Sequence, residues 1–214
     1  MEKQDSSLRK IEVDIFSLLD SIQTIARNGL HYTTNEYDKE RYERLLSLTS
    51  QTYSELFSIP EETVKSRFIA EIGYITPKVG TNAAIFNDKG EILLMERIDG
   101  SGWCMPCGFV EPNETPAEGV IREVREETGL DVKIKQLVGV FTRKPNGKTG
   151  PHTTVSIVHL CDVIGGHLRI SHEGKALQYW LIDEMNDWHA THEINARAAY
   201  KMWKSDCRIS SISA

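Results

Sequence analysis

The spacing of apolar residues changes once along this 214-residue chain, and the change divides it into two segments of different secondary structure. Between Leu8 and Leu56, apolar residues recur every three or four positions, which is typical of helices with one buried face. After Val79, short stretches rich in β-branched residues are separated by Gly, Asn and Asp, a pattern typical of strands. We therefore predict a helical domain over residues 1–73 and a strand-rich domain over residues 74–208.

The first segment contains signals for three helices. Asn28-Gly29 interrupts the apolar spacing as a helix C-cap would, and Thr33-Thr34-Asn35 offers side-chain oxygens to cap a second helix. These features predict a helical hairpin. Pro60 precedes a shorter apolar pattern that predicts a further helix over residues 61–73.

The second segment predicts several strands and two helices. Asn87-Asp88-Lys89-Gly90 has the composition of a hairpin turn between two strands. Because strands outnumber helices here, we predict an α+β fold, an α/β/α sandwich with a mixed sheet, and not a doubly wound parallel sheet. The predicted strands cover residues 81–86, 91–95, 132–141, 153–163 and 176–182, and the last helix covers residues 193–204.

The composition narrows the class of protein. The formal charge is −6, so the sequence lacks the basic balance of proteins that bind duplex nucleic acid, and we expect no nucleic-acid partner. No apolar run is long enough to cross a bilayer. The polar residues 1–10 do not resemble a secretory signal, and four cysteines are too few for a disulfide framework. We expect a cytoplasmic protein.

Residues 115–129 carry start and stop signals for one helix. Thr115 and Glu118 have the spacing of a capping box, and Pro116 stands at the first helical position. Gly129 follows the last turn, where a glycine commonly ends a helix. The pattern predicts a helix with firmly defined ends.

Three glutamates share one side of this helix. Glu126 and Glu127 follow Glu123 by three and four positions, so the carboxylates are neighbours and repel by roughly 0.2–0.5 kcal/mol per pair. A bound cation would remove that repulsion, and carboxylate oxygens suit Mg²⁺ or Mn²⁺. The alternative is an acidic face that is simply solvated.

The residues around these glutamates decide between the two interpretations. Gly108 is followed after five residues by Glu114, and after seven more by Arg122-Glu123-Val124-Arg125-Glu126-Glu127-Thr128-Gly129-Leu130. This string matches every specified position of the Nudix box, so the chain resembles the Nudix hydrolase superfamily. The resemblance implies a metal site of the loop-helix-loop type on an α/β/α sandwich, and cleavage of a nucleoside diphosphate derivative.

The resemblance also implies roles for individual residues. Glu126 and Glu127 correspond to the principal cation ligands, and Glu123 to a further ligand or a general base. Arg122 would pair with Glu114, and the backbone carbonyl of Gly108 is a further candidate metal ligand.

A carboxylate must take the proton of the attacking water. Glu123 is one candidate for this general base. Glu173, in the loop before the predicted strand at residues 176–182, is a second, with a surface loop acid as the alternative.

The first segment carries a second resemblance. It is similar to the helical N-terminal domain and linker of the bacterial CDP-choline pyrophosphatases that are often labelled ADP-ribose pyrophosphatases. In that group the helical domain supports a homodimer, which the resemblance implies here; an inert helical cap is the alternative. The matching residues are 25–32, 37–43 and 73–79.

Two stretches depart from that group near the expected substrate pocket. Pro106-Cys107-Gly108-Phe109 replaces Pro-Gly-Gly-Trp, and Thr81-Asn82-Ala83 replaces Val-Arg-Gly. Residues 105–111 are instead similar to Nudix enzymes for ADP-ribose, NADH or FAD. ADP-ribose-like and CDP-choline-like substrates both remain, with the former slightly favoured.

Four further residues are candidates for substrate contacts. Arg97 and Arg143 could bind phosphate because guanidinium groups match phosphate oxygens, although both could be ordinary surface charges. Trp103 and Phe141 could stack on a base or belong to the core.

Cysteines and histidines give no clear signal for a second site. Cys104-x-x-Cys107 lacks the second ligand pair that a zinc site needs. His152, His189 and His192 receive no role.

Two other functions use the same fold. A nucleotide sensor would bind a ligand such as ADP-ribose without cleaving it, but such a module has no need of the intact acidic trio. A Nudix enzyme acting on RNA needs an electropositive channel, which the acidic balance disfavours.

Overall fold

A computed structural model describes residues 14–73, 75–145 and 152–212, with the side chains of residues 206–212 excepted. The chain divides into two compact units between Thr76 and Pro77, and Lys144 and Pro145 group with the first unit. The predictions that concern residues 1–10 and Tyr74 lie outside the described residues.

The first unit consists of three helices, α1 (Ile15–Tyr32), α2 (Glu36–Phe57) and α3 (Glu61–Ile69). The side chain of Asp14 caps α1, and that of Asn35 caps α2, by accepting hydrogen bonds from backbone N–H groups of the first turn. The predicted helical hairpin is therefore present, with its second cap at the predicted Asn35.

The prediction that Gly29 ends the first helix is wrong, because α1 continues to Tyr32. Gly29 lies where the ring of Tyr42 packs on α1, and a Cβ at this position would overlap that ring. The glycine permits close helix packing, which local sequence signals do not reveal. The third helix also ends earlier than predicted, at Ile69 and not at residue 73.

A buried arginine connects two parts of this unit. Arg27 on α1 is fully buried, and its guanidinium donates to the backbone carbonyl of Glu71 and, over 2.9 Å, to the side-chain oxygen of Gln23. Its pKa is lowered by burial, while the carboxylate of Glu71 acts in the opposite direction. The apolar core beside it is formed by Leu19, Ala26, Leu46, Tyr53, Val64 and Phe68.

The second unit contains two sheets and two helices. Strand β1 lies inside the larger sheet, parallel to β6 and antiparallel to β4, so the sheet is mixed, as predicted. The strand orders are β4-β1-β6-β5 and β3-β2-β7. The elements are β1 (Lys78–Ile85), β2 (Ile92–Arg97), β3 (Trp103–Cys104), β4 (Cys107–Phe109), α4 (Pro116–Thr128), β5 (Leu130–Arg143), β6 (Thr154–Gly166), β7 (Gly174–Trp180) and α5 (His192–Ile212).

The predicted hairpin between β1 and β2 is only partly correct. Asn87 and Glu91 are joined by a backbone hydrogen bond of 3.0 Å, so the turn is present, and an antiparallel bridge links Phe86 to Ile92. Beyond that bridge, β1 and β2 continue into different sheets. The short strands β3 and β4 were not predicted, because two or three residues are too few to show an alternating pattern.

Strand β1 packs against apolar side chains on both of its faces. Ala83 and Ile85 belong to one buried cluster with Val120 and Val124 of α4. Ala84, whose side chain points to the opposite face, belongs to a second cluster that includes Ala196 and Ala199 of α5. The unit is therefore an α/β/α sandwich, and the whole chain has an α+β fold.

No helix among the described residues combines the length and the apolar character needed to cross a bilayer.

Candidate active site

Helix α4 begins and ends at the residues that carry its sequence signals. The side chain of Thr115 accepts from Glu118 N over 3.2 Å, and the Glu118 carboxylate accepts from Thr115 N over 2.8 Å, which completes the capping box. Gly129 ends the helix with a φ of 71°, in the left-handed region. Both ends of α4 are therefore defined by local interactions.

Arg122 holds together the loop before α4 and the acidic side of the helix. Its guanidinium donates to both carboxylate oxygens of Glu114, over 3.1 and 2.8 Å, and to the backbone carbonyl of Phe109 over 3.2 Å. It also donates to Glu123 over 2.9 Å and to Glu126 over 3.0 Å. The predicted pairing of Arg122 with Glu114 is thus present, and the same cation neutralises part of the acidic trio.

Glu127 is the most buried carboxylate of the trio, with 4% of its surface exposed. It accepts a hydrogen bond from Cys107 N over 2.8 Å. Burial raises the pKa of Glu127 to about 9, with the charges of Glu123 and Glu173 acting in the same direction. A group in this environment favours either a proton or a cation close to its carboxylate.

Glu123 lies directly against the backbone of strand β4. A Cβ at Gly108 would overlap the Glu123 carboxylate, so a side chain at position 108 would displace that carboxylate from its present place. Burial raises the pKa of Glu123, against the effect of Arg122. Glu126 differs from both other glutamates, because 59% of its side chain is exposed.

The three carboxylates do not form a closed cage. Among the described residues, no group of three His, Cys, Asp or Glu side chains converges closely enough to hold a metal ion by itself. Mg²⁺ is commonly held by one or two carboxylates, with water and substrate phosphates completing its shell. The buried Glu127 carboxylate, with its raised pKa, fits a cation of this kind.

A cleft of about 320 Å³ opens beside this region. Glu173 lines it directly, while Cys107 and Gly108, which contact Glu127 and Glu123, form part of its wall. Arg97 and Arg143 line the same cleft. Acidic and basic groups therefore meet in one cavity, which suits a diphosphate bound together with a cation.

The predicted substrate residues lie in two different environments. Arg97 lines the cleft and donates to Asp99 over 2.9 Å, and Arg143, also in the cleft, donates to Thr154 over 2.9 Å. Trp103 and Phe141 are half-buried and pack against the hydrophobic cluster that contains Ala84. Their positions favour the core over base stacking as their role.

The cleft is also lined by two histidines that belong to no sequence motif. His189 and His192 lie just before and at the start of α5, and His192 is 7% exposed. Asn82, in a stretch noted only as a departure from the related group, lines the cleft as well. No local motif marks these residues, because the fold brings them together from distant parts of the chain.

Comparison with known proteins identifies both units. The NUDIX domain profile matches residues 76–206. A profile described as a UDP-X-like, N-terminal oligomerisation domain matches residues 14–68.

Individual relatives cover most of the chain. A putative ADP-ribose pyrophosphatase of Bacillus subtilis is 30% identical over 73% of this chain and 76% of its own length. An ADP-ribose pyrophosphatase of Methanocaldococcus jannaschii is 32% identical over 75% of this chain and 91% of its own length. A crystal structure of a UDP-X diphosphatase superposes with a TM-score of 0.55 at 25% identity, covering 90% of this chain and 95% of that one. The profile match over more than half of the chain and the two sequence relatives show that the chain belongs to the Nudix hydrolase family.

Proposed function

We propose that this chain hydrolyses the diphosphate linkage of a nucleoside diphosphate derivative, releasing a nucleoside monophosphate and a phosphorylated second group. The observation that carries the proposal is the meeting of acidic and basic groups in one cleft. Arg97 and Arg143 supply positive charge to phosphate oxygens. Glu173 in the cleft, and Glu127 and Glu123 behind Cys107 and Gly108, supply carboxylates for a general base and for a cation.

A divalent cation, Mg²⁺ or Mn²⁺, is part of this proposal. Together with water and substrate phosphates, Glu127, Glu123 and Glu126 would hold it, with the backbone carbonyl of Gly108 as a further ligand. When bound, such a cation neutralises phosphate oxygens and acidifies a coordinated water. Arg122 keeps Glu123 and Glu126 in position through its hydrogen bonds.

Two carboxylates compete for the role of general base. Glu123 is largely buried and committed to Arg122, which favours a ligand or positioning role. Glu173 lines the cleft with 57% of its side chain exposed, so it can reach a water molecule there. We favour Glu173 as the base.

The preferred substrate is ADP-ribose. Two relatives that each align with more than 70% of this chain are named ADP-ribose pyrophosphatases, one of them putatively, which supports that choice. The structural similarity to a UDP-X diphosphatase makes UDP-linked substrates a second class to test, and CDP-choline remains a third. A sensor without activity and an enzyme for RNA ends are the competing functions.

We also propose that the first unit joins two copies of the chain in a homodimer. Leu18, Ile25 and Tyr32 are spaced seven positions apart on α1 and form an exposed apolar stripe, with between 45% and 60% of each residue accessible. Their spacing places them on a different side of the helix from the buried Leu19 and Ala26. The match to an oligomerisation domain supports this use of the stripe.

A cytoplasmic location belongs to the same proposal. Cys104, Cys107 and Cys161 are free thiols, which suits a reducing compartment.

Removal of a proposed metal ligand should abolish most of the activity. With Mg²⁺ or Mn²⁺, the protein should convert ADP-ribose to AMP and ribose 5-phosphate. Glu126→Gln or Glu127→Gln should lower kcat/KM by about 100-fold or more, because transition-state charge loses its stabilisation. The measurement is product formation over a panel of ADP-ribose, UDP-glucose, CDP-choline, NADH, FAD, diadenosine polyphosphates and capped RNA.

Glu184→Gln, an exposed substitution in the same unit, is the matched control and should retain full activity. Equal rates for wild type, Glu126→Gln and Glu127→Gln would refute the metal assignment. Tight binding of ADP-ribose without turnover under any cation would support the sensor function instead.

Burial of Glu127 should make stability depend on pH. The folded-state pKa of Glu127 is raised to about 9 from its ordinary value of 4.5, so the folded protein binds more protons than the unfolded chain between these values. The contribution of Glu127 to stability is therefore present below this window and falls as pH rises through it. In EDTA, Glu127→Gln should flatten this pH dependence and raise the midpoint of thermal unfolding at a pH of about 8.5, because wild type gains free energy there by ionising Glu127 in the unfolded chain.

At the same alkaline pH without EDTA, Mg²⁺ should raise the unfolding midpoint of wild type, and raise that of Glu127→Gln much less, because the ligand is lost. Differential scanning calorimetry measures both effects, with Glu184→Gln as the control. An identical response of wild type and Glu127→Gln to pH and to Mg²⁺ would show that Glu127 is not the ligand.

A charge in the apolar stripe of α1 should weaken assembly. Sedimentation equilibrium should give twice the chain mass of 24.2 kDa for wild type. Ile25→Glu places a charge in the stripe and should shift the equilibrium towards monomer, whereas Ser66→Glu, an exposed change on α3, should not. A dimer that tolerates Ile25→Glu unchanged would exclude this stripe as the interface.

A further inference from the structure

His192 is a buried imidazole at the wall of the candidate cleft. It is the first residue of α5 and is 7% exposed, yet it lines the same cavity as Arg97 and Arg143. The proposed mechanism gives it no task.

The hydrogen bonds of His192 fix its tautomer. Met105 N donates to Nδ1 over 3.1 Å, and a backbone N–H can only be a donor. The side-chain nitrogen of Asn82 lies 3.5 Å from the same ring nitrogen. Because Nδ1 must accept, the proton of the neutral ring is on Nε2.

The ring also stays neutral at ordinary pH. Burial lowers the pKa of His192 to about 3, and His189 and Arg97 act in the same direction. His192 therefore presents an N–H donor without adding a positive charge.

That donor has a weak partner. Nε2 lies 3.9 Å from the sulfur of Cys107, and sulfur is a poor hydrogen-bond acceptor. A buried N–H group gains free energy when a stronger acceptor, such as an oxygen, replaces a weak one.

The position of Cys107 indicates which oxygen could accept a hydrogen bond from Nε2–H. Cys107 N donates to Glu127, and the next residue, Gly108, lies against Glu123. Cys107, Gly108 and His192 all line the cleft, and this wall is where the proposed function places the diphosphate.

We propose that His192 Nε2–H donates a hydrogen bond to a phosphate oxygen of the bound diphosphate, which makes His192 a substrate-binding residue. The proposal rests on the proposed function for the place of the diphosphate. Since every nucleoside diphosphate derivative shares this group, the contact should support binding irrespective of the base.

Two substitutions separate the functions of the two ring nitrogens. In His192→Asn, the amide oxygen can accept from Met105 N, but the donor at the Nε2 position is lost. In His192→Gln, the longer side chain can place an N–H group near that position. His167→Asn, at the exposed position that follows β6, is the matched control.

The experiment is calorimetric titration with α,β-methylene-ADP and α,β-methylene-UDP in Mg²⁺, which needs no turnover. His192→Asn should weaken binding of both analogues by roughly tenfold, the size of one hydrogen bond to a charged group. His192→Gln should recover most of the loss, and His167→Asn should bind as wild type does.

Unchanged affinity in His192→Asn would overturn the proposal, as would a loss confined to one base or an absence of binding by wild type. If His192→Asn does not fold, ¹⁵N NMR of the wild-type imidazole decides. The Nε2-bound proton should shift on addition of α,β-methylene-ADP, and a proton on Nδ1 or no shift would overturn the proposal. Binding without hydrolysis of ADP-ribose would remove only the proposed function.

Discussion

The burial of the Glu127 carboxylate is the constraint on which the site depends. Helix α4 places its apolar side against β1, and this packing brings Glu127 to strand β4, where Cys107 N donates to it. Burial makes the ionised carboxylate costly, which the raised pKa expresses. A cation near Glu127 would offset that cost, so the folding of α4 and the binding of metal are linked in this account.

The surrounding structure holds this arrangement in place. Arg122 connects the loop at Glu114 to Glu123 and Glu126, so the loop and the helix are fixed together. Gly108 allows strand β4 to approach the Glu123 carboxylate. Strands β5 and β2 carry Arg143 and Arg97, which complete a cavity suited to an anionic substrate.

The sequence predicted those parts of the structure that local signals control. Thr115, Glu118 and Gly129 defined α4 because capping depends on neighbouring residues. The prediction that Gly29 ends α1 was wrong, because this glycine instead allows close contact with Tyr42 on another helix.

Features that depend on the packing of distant segments could not be predicted in this way. For Trp103 and Phe141 the sequence left both base stacking and the core open, because whether an aromatic side chain faces a core or a cleft depends on how the sheets pack. His192 was missed for the same reason, because its partners Met105 and Cys107 are 87 and 85 positions away.

The metal site is tested most directly by anomalous diffraction from crystals grown with Mn²⁺ and α,β-methylene-ADP. We expect a manganese peak within coordination distance of a Glu127 oxygen, with a phosphate oxygen of the analogue on the same ion. A manganese ion and diphosphate bound elsewhere, with Glu127 still buried and without a cation, would contradict it.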